Sequence, residues 1–169
     1  GNSTYLPQSY GYCGGGACYG ILINCVITGN KAYQGGGTFG STLYNCSVAG
    51  NEAQYDGGTS DGAAYNSIVW GNASRWNSNW SSMYRCCTDA SNVNFYDGST
   101  NADPMFVSVA AGDLRLREGS PCLDFGNADY VMSETDILGA ERVQNDCVDL
   151  GAYEGAVSGF SLTLDQLKP

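Results

Sequence analysis

Short apolar and polar runs in the first half of the chain restart at a fixed interval. Residues 14–34, 35–55 and 56–76 align without gaps. Glycines stand near each start (Gly14 to Gly16, Gly35 to Gly37, Gly57 and Gly58), and Asn24, Asn45 and Asn66 share one column. Gly29-Asn30, Gly50-Asn51 and Gly71-Asn72 share another, and every spacing is 21. A period of this length marks a solenoid. A leucine-rich horseshoe would need a Leu-x-x-Leu-x-Leu frame and a helical return, which these repeats lack. Within the first repeat Leu22 points inward, Asn24 occupies a bend, and Cys25 and Ile27 point inward again. Leu43, Cys46 and Val48, then Ala64, Ser67 and Val69, follow the same pattern. The alternate positions (Ile23, Tyr44, Tyr65; Val26, Ser47, Ile68) face solvent or a covering loop. Period-two alternation on both sides of a bend predicts short strands. The fold expected is all-β, a right-handed parallel β-helix in which each coil hydrogen-bonds to the coils above and below.

Asparagine suits the bend because, among residues other than glycine, it best tolerates a left-handed backbone. Its amides, stacked about 4.8 Å apart, are expected to bond along an Asn24–Asn45–Asn66 ladder. The glycines serve another corner, where positive φ or close backbone approach is required. A fourth coil is degenerate: Tyr84-Arg85-Cys86 arrives two residues early, after a loop over 74–82 that carries Trp76 and Trp80. Eight charged side chains fall in residues 1–100 and sixteen in 101–169, so the character changes near residue 102. Short strands are expected at 104–109, 113–117 and 148–153. The division predicted is coils over 1–101, an irregular β segment over 102–154 packed on or capping the helix, and a tail over 155–169. The alternating stretch 160–164 could be donated as a strand.

Composition narrows the function. Twenty-four glycines with 14% charged residues fit strands and turns. A net charge of −10 disfavours a nucleic-acid partner. The absence of His excludes a His-based triad, a His-ligated zinc site and a His proton shuttle. No apolar run approaches the roughly 20 residues a spanning helix needs. The eight cysteines (Cys13, Cys18, Cys25, Cys46, Cys86, Cys87, Cys122, Cys147) fit no zinc-finger spacing and favour an oxidising, extracellular setting. Cys25 and Cys46 occupy adjacent rungs, with Ser67 and Cys86 continuing the column, so Cys25–Cys46 is one candidate disulfide. Cys13–Cys18 and Cys122–Cys147 are others, and buried free thiols are the alternative. The chain starts at Gly1 without a signal segment and reads as a processed piece of a secreted precursor. Asn2, Asn45, Asn72 and Asn79 head glycosylation triplets.

After the repeats come Ala102-Asp103-Pro104-Met105-Phe106-Val107, then Gly112-Asp113-Leu114-Arg115-Leu116, then the run Gly119-Ser120-Pro121-Cys122-Leu123-Asp124-Phe125-Gly126. Arg142-Val143 and Val148-Asp149-Leu150-Gly151-Ala152-Tyr153-Glu154 close the series. From about residue 14 to residue 154 the chain resembles the choice-of-anchor Q domain proteins. The resemblance implies a pectate-lyase-like parallel β-helix and a bacterial exported or surface-anchored protein. It implies no defined reaction.

Candidate chemistry is thin. Lyase chemistry needs a cationic base facing acids that hold Ca²⁺. The clear coils offer only Lys31 and Arg75 against Glu52, Asp56 and Asp61, and Arg85 with Asp89 is the nearest pairing. Asp124, Asp129, Asp136, Asp146 and Asp149 lie close in sequence and could serve a glycosidase or hold a structural Ca²⁺, although Asp-rich turns are usually turn formers. No other cofactor is expected. Tyr65, Trp70, Trp76, Trp80 and Tyr84 are the candidate carbohydrate-binding aromatics, since flat rings stack on sugars. The expected function is a non-catalytic extracellular or cell-surface building block whose partner is itself, joined end to end. A module adhering to surface glycans is the alternative, and a polysaccharide lyase or glycoside hydrolase the third reading.

Overall fold

The computed structural model describes residues 14–76 and 81–157. Its first coil holds β1 (Ala17–Cys18), β2 (Ile21–Ile23), β3 (Val26–Thr28) and β4 (Lys31–Gln34). The second holds β5 (Thr38–Phe39), β6 (Thr42–Tyr44), β7 (Ser47–Ala49) and β8 (Glu52–Tyr55), and the third β9 (Thr59–Ser60), β10 (Ala63–Tyr65), β11 (Ile68–Trp70) and β12 (Ala73–Trp76). A partial fourth adds β13 (Ser82–Tyr84) and β14 (Cys87–Thr88), and β15 (Asn94–Tyr96) follows. Strands of like position pair in parallel, in the orders β1-β5-β9, β2-β6-β10-β13-β15, β3-β7-β11-β14 and β4-β8-β12. The chain is therefore a parallel β-helix.

Each coil turns at corners of positive φ that recur in columns. Asn24, Asn45 and Asn66 have φ of 52°, 47° and 48°, as their shared bend requires, and Arg85 continues the column at 53°. A Cβ on Gly36 would lie 2.3 Å from the Gly57 carbonyl oxygen, so only glycine admits the next coil there. The register is 21 residues until β13, where Ser82 pairs with Ala63, two residues early. Asn94 then pairs with Ser82 after twelve residues, so the last coil is narrow.

Two cores result. Ile27, Leu43, Cys46, Val48, Ala64, Val69, Met83 and Cys86 fill the helix interior. The second core lies on the outer face of the β3-β7-β11-β14 sheet, where Ile68 and Cys87 meet Phe106, Leu114, Leu116, Cys122 and Leu150. Segment 102–157 thus covers the flank of the helix. It contributes β16 (Phe106–Ser108), antiparallel to β17 (Asp113–Arg117), which pairs in parallel with β18 (Ala156–Val157). The stretch 148–153, expected as a strand, forms none. Its amides bond separately into the flank, Gly151 to the Asn66 carbonyl at 2.9 Å and Ala152 to Ser47 Oγ at 3.0 Å. The stretch 160–164 lies outside the described residues.

Candidate functional site

The corner asparagines do something other than the ladder expected of them. Their amides leave the stack and hold segment 102–157. Asn24 Nδ2 donates to the Thr135 carbonyl at 2.6 Å, and Asn45 Nδ2 to that of Asp149 at 3.5 Å. Asn66 Nδ2 donates to the Asn127 carbonyl while Asn127 N–H donates back to Asn66 Oδ1, each at 2.8 Å. The amide-to-amide ladder belongs instead to the inward column. Asn30 Nδ2 donates to Asn51 Oδ1 at 3.0 Å and Asn51 Nδ2 to Asn72 Oδ1 at 2.9 Å. The Gly-Asn repeat carried that signal, but spacing alone does not separate an asparagine at an outer corner from one turned inward. Asn45 is buried and Asn72 sits in the ladder, so both glycosylation triplets within the described residues are engaged in the fold.

The acidic cluster is absorbed by turns. Asp149 Oδ1 accepts from the Asp124 amide and Oδ2 from that of Gly155, both at 2.7 Å. Asp136 Oδ1 accepts from Leu138 and Ala140 amides at 2.8 Å, and Oδ2 from Glu154 at 2.9 Å. Asp124 and Asp146 sit at positive φ in turns, and Asp129 lies within a short 3₁₀ turn capped by Asn127. Among the described residues no group of three or more carboxylates or thiols is gathered as for a metal ion. The nearest cation–acid pairing also dissolves: Arg85 lies 5.0 Å from the centre of the Phe125 ring, while Asp89 accepts from the Gly71 amide.

Buried beneath these turns is Arg142, 1% exposed. Its guanidinium donates to Glu154 Oε2 at 2.9 Å, to Asn24 Oδ1 at 2.7 Å, and to the carbonyls of Gly151 and Ala152. Burial pushes the Glu154 carboxyl up to about 7. Burial likewise raises Asp149 above the usual carboxylate range. Arg142 was legible only as part of a motif; its burial had no local signal.

The aromatics divide. Tyr44, Tyr65, Tyr84 and Tyr96 form one stack, with centroids 4.9, 4.6 and 4.8 Å apart and rings within 15° of parallel. Tyr65 and Tyr84 therefore have both faces covered by neighbouring rings, leaving no face for a sugar. Trp70 borders a 460 Å³ groove with Met105, Phe106, Val109, Asp103 and Arg117. Trp76 closes β12, and Trp80 lies outside the described residues.

Among the described residues Cys25, Cys46, Cys86, Cys87, Cys122 and Cys147 carry free thiols. The expected disulfides Cys25–Cys46 and Cys122–Cys147 are therefore open, and Cys13 lies outside the described residues. Cys25, Cys46 and Cys86 do share one column, with Ser67 between the last two, because their side chains fill the narrow interior beside the corner.

Among the described residues the five-stranded sheet has no partner strand at either end. Strand β2 forms one edge of the five-stranded sheet and β15 the other. The inward column Leu22, Leu43, Ala64, Met83, Phe95 is fully buried at its middle three positions, yet Phe95 is 46% exposed. The outward tyrosine column ends with Tyr96 45% exposed. At the opposite edge Ile21 is 72% exposed and Ile23 37%. Comparison with family models, curated proteins and solved structures finds no match to this chain.

Proposed function

We propose that this chain is a non-catalytic structural building block of the cell exterior, joined head to tail with copies of itself. The observation that carries the reading is Phe95, a core-column side chain left half in water at a strand edge that, like the apolar β2 edge at the other end, has no partner strand among the described residues. Unpaired edges flanked by apolar side chains are templates for another strand. Adding β2 of one copy to β15 of the next would seat Phe95 over Leu22 and Tyr96 over Ile23, and continue the sheet. Such a contact uses two different surfaces and generates an open filament. The engagement of the acidic residues in turns supports a scaffold over an enzyme. The ordered motifs over 102–154 support membership of the choice-of-anchor Q group, and with it an exported or surface-anchored setting. Sedimentation velocity over a concentration series tests the assembly. The chain is expected to grow with concentration, and Phe95→Lys or Ile21→Lys, each at an exposed site, to hold it monomeric. A wild-type chain that stays monomeric throughout refutes the reading.

A further inference from the structure

A different feature lies in the interior column at the first rung. Cys25 and Cys46 hold equivalent positions on adjacent coils, and the Cys25 amide donates to Cys46 Sγ at 3.4 Å. Rungs about 4.8 Å apart fall within the Cα separation a disulfide spans. The two sites differ in access. Cys46 is fully buried, whereas Cys25 is only half-buried on the rim coil. Ser67 occupies the next rung and separates Cys46 from Cys86. Along this column only Cys25 and Cys46 are neighbouring thiols among the described residues.

We propose that Cys25 and Cys46 are a redox-active dithiol, with Cys25 the attacking and Cys46 the resolving thiol, closed by exchange with a low-molecular-weight disulfide such as oxidised glutathione. The Cys25 thiolate attacks one sulfur, forming a mixed disulfide and releasing one glutathione thiolate, which takes up a proton. Cys46, deprotonated as it reacts, then attacks Cys25 Sγ and expels the second glutathione. Two protein thiols are oxidised and one external disulfide is reduced to two thiols. The chemistry of the pair agrees with this order. The hydrogen bond from Cys46 holds the Cys25 thiol down at about 6, while that same bond, and then burial, push Cys46 up. Thiolate character with access is what makes a cysteine reactive. The product ties the first described coil, which pairs with a coil on one side only among the described residues, to the next one.

The test is oxidation of the native chain, kept monomeric by dilution, with oxidised glutathione, followed by trypsin and mass spectrometry. Cleavage at Lys31 puts the two cysteines on separate peptides. The expected product is a Cys25–Cys46 cross-linked pair, with loss of two thiols and of the mass of two hydrogens. In Cys46→Ser, a change the column already accommodates at Ser67, Cys25 should stop as the glutathione adduct. Failure of Cys25 to accept glutathione in the native chain, a cross-link to another cysteine instead, or an unresolved adduct in the wild type would overturn the proposal.

Discussion

Arg142 concentrates the energetics of the flank in one side chain. A buried ion pair contributes little net stability over an apolar pair, but breaking it strands a charge at a cost of about 3–5 kcal/mol. Arg142→Met is therefore expected to lower the unfolding free energy extrapolated from urea by that order, and the double variant Arg142→Met with Glu154→Gln by less, because no buried charge is then left unpaired. The pair also sets a pH dependence. The Glu154 carboxyl rises from 4.5 to about 7 on folding because it is buried. Between those values the folded chain binds the proton and the unfolded chain has lost it, so this contribution to stability falls as pH rises through that window. Unfolding at pH 5 and at pH 8 measures the drop, which Glu154→Gln should reduce. An equal drop in the variant would assign it to other groups.

At the level of elements, the coils were legible because their physics is local and repeated. A positive φ asks for Asn or Gly, an inward strand position asks for an apolar residue, and both recur every 21 residues. Asn45 makes this quantitative. Asn45→Gly removes the amide together with the Cβ, whereas Asn45→Ala keeps a Cβ in the left-handed corner, at about 1–2 kcal/mol, without the amide that lets asparagine tolerate it. Thermal unfolding should rank Ala below Gly, and the reverse order would remove the corner from the account. Segment 102–157 was less legible. Its strands at 106–108 and 113–117 carried alternation. The stretch 148–153 is held by long-range bonds to Ser47 and Asn66, whose partners lie 105 and 85 positions away (152 − 47 and 151 − 66), and no local pattern reports such partners. The ends were visible only in part. That a solenoid has open ends follows from the repeat, but the exposure of Phe95 depends on the narrowing of the final coil to twelve residues.

For the whole molecule, stability is a sum of neighbour contacts along the stack, supplemented by the flank segment that reaches all three corner asparagines. That segment leaves both ends of the five-stranded sheet without a partner strand among the described residues. A head-to-tail joint uses the β15 end of one copy and the β2 end of the next, so each end can be disabled separately. The direct measurement is sedimentation of a one-to-one mixture of Phe95→Lys and Ile21→Lys chains. Each alone keeps one competent end and should stay monomeric, while the mixture should form a heterodimer that grows no further. A mixture that remains monomeric, while the wild type assembles, would contradict the head-to-tail joint.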